Sequence, residues 1–322
     1  MRSATDDPDD RAALYAAALE MCAWAETRGA LTAVLSQHHG VEDGYLPSPL
    51  TLAAAIAGRT VTLPLTIAAL LLAHYEPVKL AEDMAVLDLI SRGRATYVIG
   101  IGYRQEEFDL FGVDRRQRAQ LVEDRILIIR ALLAGRHAEV DGRAVRITPL
   151  PFTPGGPTLA YGGGTEAAAR RAGRLGMLFI AETHNDGLET AYRDEAARVG
   201  VTPPGCIFPA SRAPLTVFVS DDPERSWAEI GEYLLRDAVS YGEWNAHRSG
   251  IASISSATSV EQLRAEQGAY QIITPAEASS RVEAGEALAL QPLVGGLPPE
   301  LAWPYLESAA DASNVADGLG SR

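Results

Sequence analysis

The sequence predicts an α/β fold of the (β/α)8 barrel type, and three observations support that expectation. Helix and strand signals alternate along the 322 residues. The strand segments are apolar on both faces, as buried parallel strands require. Several histidines follow the ends of predicted strands: His38, His39, His74 and His184. One such histidine is usually a satisfied polar group at a strand edge. Four at equivalent positions favour a common pocket, because the loops after barrel strands build the active site.

The predicted helices are defined by apolar residues at helical spacing, by proline in the first turn and by glycine at the end. These cover residues 11–27, 49–58, 77–93, 115–133, 165–175, 188–199, 223–239 and 299–310. The predicted strands cover residues 30–36, 64–72, 95–101, 158–161, 177–181, 214–220 and 287–292, with a hairpin at 137–147. This is one strand fewer than a barrel needs. The missing or degenerate strand is the first, since polar residues precede the first helix.

The absence of an internal linker predicts a single barrel domain over residues 1–322. Residues 240–275 keep no clean period and are expected to form an inserted lobe or lid before the last strand. Its aromatic side chains either close over the site or pack the insertion onto the barrel. The polar ends, residues 1–8 and 313–322, are expected to be disordered.

Composition restricts the function classes. A formal net charge of −14 argues against nucleic-acid partners and against anionic membranes. The most apolar stretch, residues 63–73, is too short for a membrane span. The two cysteines offer no disulfide framework, and the polar start does not resemble a secretory signal. We therefore expect a cytoplasmic protein that acts on a small molecule.

A glycine-rich turn, Tyr161-Gly-Gly-Gly-Thr165, joins a predicted strand to a predicted helix. Glycines let a ligand approach the backbone, and a helix N-terminus attracts anions. Gly163, Gly164 and Thr165 could therefore bind a phosphate, although a tight turn capped by threonine explains the same residues. A dinucleotide-binding unit is disfavoured, since the loop lacks the GxGxxG pattern.

Several runs of sequence resemble the bacterial-luciferase-like flavin-dependent monooxygenases. The most specific is EPVKLAEDMAVLDLISRGRATYVIGIGYRQEEFDLFGVDRRQR, and SQHHG, LAYGGGTEAAARRAGRLG and PLVGGLPPELAW add to it. The resemblance spans residues 11–310. It implies a barrel, usually dimeric, that uses reduced FMN and O2 on a small organic substrate, with a separate flavin reductase as a possible partner. A sister branch uses the deazaflavin F420.

The resemblance also implies roles for individual residues. His38 matches the active-site histidine beside the flavin ring, where an imidazole acts as acid or base. Ala68 and Ala69 match a pair joined by a cis peptide in a strand bulge under the ring, whereas composition alone indicates an ordinary buried strand. Gly163, Gly164 and Thr165 match the phosphate-binding turn.

Two departures from the family pattern stand out. Ile101, followed by Gly102, occupies the position where the resemblance implies an arginine for the flavin phosphate. Arg104 is expected either to reach back to that phosphate or to lie on a solvated face. Gln37 replaces the usual glutamate. These changes, with the missing first strand, favour as an alternative a non-catalytic family member that acts as a subunit or binding protein.

A different class remains as a rival. His38, His39, His74 and His184 could ligate zinc in a hydrolase barrel, supported by Glu182 or Asp186. However, the neighbouring His38 and His39 would point in opposite directions within a strand, so both rarely bind one metal. Our preferred interpretation therefore includes no metal.

Overall fold

The computed structural model describes residues 2–209, 214–248, 251 and 253–319, with the backbone alone for 314–319. The chain divides into two compact units, and each is described by itself. One comprises Gly29–Phe208, and the other comprises Met1–Arg28 with Pro209–Arg322. No described helix is long and apolar enough to cross a membrane.

Helices and strands alternate through most of the described chain. The helices are α1 (Pro8–Glu26), α2 (Pro49–Arg59), α3 (Pro77–Ser91), α4 (Gln105–Leu110), α5 (Arg118–Leu133), α6 (Glu166–Arg174), α7 (Asp186–Arg198), α8 (Pro223–Trp244), α9 (Val260–Glu266), α10 (Pro275–Glu283) and α11 (Pro299–Leu319). The strands are β1 (Ala33–Leu35), β2 (Leu65–Leu71), β3 (Ala95–Gly100), β4 (Ala138–Val140), β5 (Arg143–Val145), β6 (Thr158–Gly163), β7 (Leu178–Ala181), β8 (Cys206–Ile207), β9 (Thr216–Val219) and β10 (Tyr270–Ile273). Single 3-10 turns occupy Leu72–His74, Arg115–Gln117 and Val294–Gly296.

The unit Gly29–Phe208 is built on a six-stranded sheet in the order β1-β2-β3-β6-β7-β8. Every neighbouring pair in this sheet is parallel. Strands β2 and β3 are almost wholly buried, which explains why they read as continuous apolar runs. Parallel strands alternating with helices confirm the predicted α/β fold class. The predicted hairpin also forms, as the antiparallel pair β4–β5.

The other unit contains a parallel pair of strands, β9 and β10. We did not predict β10, because its four residues lie in the stretch that shows no period. The predicted strand at residues 287–292 is wrong. One backbone N–H, that of Val217, donates to the Ala289 carbonyl over 2.8 Å, but no ladder follows. Pro292 contributes no N–H to extend the pairing.

The stretch 240–275 contains the end of α8, α9 and β10, while residues 249, 250 and 252 lie outside the described residues. Its role as an inserted lobe or lid stays a prediction. Tyr270 is buried in an apolar cluster with Trp227, Leu234 and Leu306. The hydrophobic side chains of α8, β10 and α11 thus form the core of this unit.

The structure gives defined contacts near the start of the chain, while the expected disorder of residues 1–8 and 313–322 stays a prediction. Arg2 is only 2% exposed, and its Nε donates to Asp237 Oδ1 over 2.7 Å. Helix α1 begins at Pro8, with Asp7 accepting a capping bond from Asp9 N–H. At the other end α11 continues to Leu319, and residues 1 and 320–322 lie outside the described residues. A buried ion pair and a capped helix supply the contacts that composition alone does not reveal.

Candidate active site

The candidate active site lies where three neighbouring strands end. Strand β1 ends at Leu35, just before Gln37, His38 and His39. Strand β2 ends at Leu71, three residues before His74. Strand β3 leads into α4. Because these strands are adjacent and parallel, their carboxyl ends share one edge of the sheet, and the segments that follow them meet there.

His38 forms a hydrogen-bonded pair with Glu107. Its Nδ1 lies 2.9 Å from Glu107 Oε1, and the two residues are 5% and 0% exposed. The hydroxyl of Tyr103 lies 3.4 Å from His38 Nε2. The ring of Tyr45 meets the imidazole edge-on at 5.0 Å. A carboxylate on one ring nitrogen fixes the ring orientation and makes the other nitrogen the reactive one.

Glu107 Oε1 binds more than His38. It accepts from the backbone N–H of His39 over 2.9 Å and from Arg104 Nη1 over 3.3 Å. Burial raises the pKa of Glu107, but the hydrogen bond from His38 and the nearby positive charges outweigh that effect and lower it. The carboxylate is therefore anionic at neutral pH. Its second oxygen, Oε2, is buried and has no hydrogen-bond partner among the described residues.

Of the two expectations for Arg104, the solvated face is wrong, and the reach towards a phosphate stays a prediction. The side chain is 9% exposed, and its guanidinium donates to Glu107 and, over 3.0 Å, to the carbonyl of His39. It does not lie on a solvated face, and it is already committed to the His38–Glu107 cluster. The buried carboxylate attracts the guanidinium, because an unpaired charge in this environment would be costly.

Gln37 links the ends of β1 and β2. Its side chain is buried, and its Oε1 accepts from the backbone N–H of Leu71 over 3.1 Å. Its Nε2 donates to the Tyr75 hydroxyl over 2.8 Å and lies 2.5 Å from His39 Nε2. This glutamine therefore holds both strand ends and contacts a second imidazole.

The third histidine, His74, sits among aromatic rings. It stacks on Phe111 at 5.0 Å and meets Phe108 edge-on at 4.8 Å, with the ring of His39 5.8 Å away. Burial lowers the pKa of His74 to about 4 and also lowers that of His39. Both rings are neutral at physiological pH. In the part of the chain that the structure describes, neither nitrogen of His74 has a hydrogen-bond partner.

The peptide bond between Ala68 and Ala69 is cis, and the register with β3 shifts between Ala68 and Leu70. The cis bond and bulge implied by the resemblance are thus confirmed. A Cβ on Gly100 would lie 2.8 Å from Ala69 Cβ, so only glycine fits beside the bulge. Their proposed role under a flavin ring stays a prediction.

Ile101 and Gly102 follow β3 directly. Ile101 is partly buried, and Gly102 has a φ of +75°, a conformation that favours glycine. A Cβ at Gly102 would lie 3.1 Å from Phe108 Cζ. Glycine thus lets the chain turn from β3 into α4, which places Glu107 beside His38.

The glycine turn lies at the same edge of the sheet, where β6 ends at Gly163 and leads through Gly164 and Thr165 into α6. Thr165 caps α6, its hydroxyl accepting from Ala168 N–H over 3.2 Å, as predicted. A Cβ at Gly163 would lie 2.6 Å from Ala168 Cβ, so close packing alone requires this glycine. Glu182 Oε2 would lie 3.4 Å from a Cβ on Gly164. A carboxylate therefore stands beside the predicted phosphate position.

The structure does not assemble the histidines into a metal site. His38 binds Glu107, His39 contacts Gln37, and His184 is exposed in the loop before α7. No group of three or more His, Cys, Asp or Glu side chains within the described ranges is arranged to hold a metal ion.

Sequence reasoning missed Glu107, the anion at the centre of the site. It lies on a six-residue helix, too short for a periodic pattern, in the run RQEEFDLFG. The available signal was an acidic pair followed by an apolar residue immediately after a buried strand.

These features define an α/β protein with a polar site at the carboxyl ends of parallel strands. The chain belongs to the luciferase-like monooxygenase family, whose model matches residues 3–291. It is 27% identical over 176 residues to the alkanal monooxygenase alpha chain of Photorhabdus luminescens, a match that covers 52% of this chain and 49% of that one. The chain thus spans about half the length of the curated relatives it matches.

Solved structures show the same fold. One is the oxygenating constituent of 3,6-diketocamphane monooxygenase from Pseudomonas putida, in complex with FMN, with 18% identity, a TM-score of 0.68 and coverage of 98% of this chain and 95% of that one. Another is an F420-dependent secondary alcohol dehydrogenase in complex with an F420-acetone adduct, with 16% identity, a TM-score of 0.60 and coverage of 84% and 85%.

Proposed function

We propose that this protein is a flavin-dependent monooxygenase that uses reduced FMN and O2 on a small organic substrate. One observation carries the proposal: the His38–Glu107 pair and the Gly163-to-Thr165 turn lie at the carboxyl ends of strands of one parallel sheet, and strand β2 of that sheet carries the Ala68–Ala69 bulge. Family membership and the FMN complex of a structural neighbour support it.

The residues present are compatible with a flavin. Ala68 and Ala69 are small and only partly buried, which leaves room for an aromatic ring beside them. Backbone N–H groups at Gly164 and Thr165, at the N-terminus of the nine-residue α6, are suited to a phosphate. When bound, reduced flavin supplies the two electrons with which O2 is activated.

The protein's own contribution is to position groups and control protons. Glu107 orients His38, so that His38 Nε2 is the nitrogen available to take or give a proton, with the Tyr103 hydroxyl 3.4 Å away. The rings of Tyr45 and Phe111 pack edge-on against the imidazoles of His38 and His39 and restrict how these can turn.

Two observations favour a second candidate, a non-catalytic family member. The position implied for a phosphate-binding arginine is Ile101, and such a charge-assisted contact contributes about 1.5–3 kcal/mol. The carboxylate of Glu182 beside Gly164 repels an anion. Both effects weaken FMN binding.

F420, which also carries a phosphate, is the alternative cofactor.

Anaerobic titration of the purified chain with reduced FMN and with reduced F420, followed by admission of O2, tests the proposal. We expect saturable binding of reduced FMN and O2-dependent turnover of a small aldehyde or ketone. His38→Asn should bind FMN but turn over about 10²- to 10⁴-fold more slowly. The exposed His137, changed to Asn, is the matched control and should keep the wild-type rate.

The outcomes separate the candidates. Binding and turnover with F420 but not FMN would assign the chain to the deazaflavin branch. Binding of neither cofactor would leave the non-catalytic candidate. We further propose that the enzyme is a cytoplasmic homodimer supplied with reduced flavin by a separate reductase. Sedimentation and a coupled reductase assay address these two points.

A further inference from the structure

We propose that Gln37 is a positioning residue that keeps the imidazole of His39 neutral, with its proton on Nδ1. The proposal goes beyond the role assigned to His38, because it concerns a second imidazole at the same edge of the sheet. It rests on the hydrogen bonds of one buried amide.

The backbone fixes the orientation of the Gln37 amide. The group facing the Leu71 N–H, 3.1 Å away, must be an acceptor, and the only acceptor of the side chain is Oε1. The NH2 group consequently faces the Tyr75 hydroxyl at 2.8 Å and His39 Nε2 at 2.5 Å, and these two contacts are much shorter than the third, to the Pro47 carbonyl at 3.5 Å. Because an amide NH2 can only donate, His39 Nε2 must accept. A neutral imidazole that accepts at Nε2 carries its proton on Nδ1.

The charged groups around His39 are consistent with a neutral ring. Burial is the largest effect and lowers the pKa of His39. Glu107 opposes this and raises it, whereas His38 and Arg104 lower it. The ring of His74 lies 5.8 Å away, and its own pKa is lowered to about 4. Of these neighbours, only Glu107 favours a proton on His39.

The amide of Gln37 keeps His39 neutral, because a glutamate side chain at position 37 would instead favour the charged form of His39. With glutamate at position 37, one oxygen would still meet Leu71 N–H, but the other would face His39 Nε2 as an anion. That oxygen could accept but not donate, so His39 would have to present an N–H to it. The same contact would then stabilise an imidazolium.

The consequence for the site, which rests on the proposed function, is that His38 and His39 have different roles. A neutral His39 does not compete with His38 for the Glu107 carboxylate. His38 is then the imidazole that exchanges protons with the substrate.

NMR of the flavin-free, full-length chain with ¹⁵N-labelled histidine tests the inference directly. In the wild type we expect His39 Nε2 to be unprotonated and Nδ1 protonated around neutral pH. Gln37→Glu should raise the pKa of His39 by at least about one unit, a tenfold gain in proton affinity. Gln37→Met should leave His39 neutral but populate both tautomers, since the fixed donor is gone.

Gln120→Glu is the matched control. It adds the same charge on the exposed side of α5 and should leave the His39 signals unchanged. A proton on Nε2 in the wild type would overturn the inference, even if Gln37→Glu does not fold. So would a titration shift in Gln37→Glu no larger than in Gln120→Glu, or an unchanged tautomer in Gln37→Met. Because no flavin is present, failure here is distinct from failure of FMN binding.

Discussion

Each compact unit buries a cluster of charged side chains, and the two clusters are built differently. In the unit Met1–Arg28 with Pro209–Arg322, both oxygens of Asp237 are bound, by Arg2 Nε over 2.7 Å and by the Tyr270 hydroxyl over 2.8 Å. The guanidinium of Arg2 also lies 4.7 Å from the centroid of the Trp244 ring, within cation–π range. In this cluster each oxygen of the carboxylate accepts a hydrogen bond.

In the cluster of Gly29–Phe208, the hydrogen bonds are distributed unequally between the two oxygens of the carboxylate. Three donors converge on Glu107 Oε1, while Oε2 has no hydrogen-bond partner among the described residues. It also includes titratable imidazoles. An unsatisfied buried acceptor costs free energy. The comparison teaches that the two clusters differ in how their carboxylate oxygens are bonded, and not in whether they bury charge.

The largest expected effect comes from Glu107→Ala. Removing the anion leaves Arg104 buried without its partner, and we expect a loss of about 3–5 kcal/mol in the free energy of unfolding. Urea denaturation measures it. Glu107→Gln keeps the shape but removes the same anion, so it should lose much of the same free energy of unfolding, and under the proposed function its turnover should also fall. A stability close to that of the wild type in Glu107→Gln would show that charge is not what the site requires.

Asp237→Asn should have the next largest effect. It keeps the shape but removes the charge that pairs with Arg2, at a cost of about 1.5–3 kcal/mol. The His38 and His39 resonances should not change. If this variant alters their titration, the distinction between the two clusters fails.

The pH dependence of stability follows from His74. Its pKa in the folded chain is lowered to about 4 from 6.5, so between those values the unfolded chain binds a proton that the folded chain does not. The stabilising contribution is complete above pH 6.5 and is lost as the pH falls towards 4. We expect about 2 kcal/mol after allowance for solvent screening.

Denaturation at several pH values measures this loss, and His74→Phe should remove most of the slope between pH 6.5 and 4. The exposed His137, changed to Asn, serves as the control and should preserve it. A slope that survives in His74→Phe would mean that another group in the fold is responsible.

The smallest effect concerns two threonine caps. Thr165 caps α6 and Thr274 caps α10, each accepting from a backbone N–H over 3.2 Å. Changing either to alanine should cost about 1 kcal/mol. Under the proposed function, only Thr165→Ala should also weaken FMN binding. Equal FMN affinity in both variants would indicate that the glycine turn is purely structural.

The local signals in the sequence located much of the fold. Strands β2 and β3 were predicted because each is a continuous apolar run, and helices α5 and α8 because their helical period extends over many residues. The short elements α4, β8 and β10 were missed, since six residues or fewer cannot establish a period. For the segment 287–292 a strand was predicted wrongly. This apolar run lacks the series of backbone hydrogen bonds to a neighbouring strand that defines a β-strand.

The sequence by itself determined the α/β class, the positions of His38, His39 and His74 after their strands, and the cap at Thr165, because each depends on neighbours close in the chain. Only the tertiary structure decided that Glu107 pairs with His38, that Arg104 contacts the His39 carbonyl and that Gln37 binds the Leu71 N–H. Those contacts join residues brought together by the pairing of parallel strands. The charge states follow from burial and from distances between groups far apart in sequence, which no local pattern encodes.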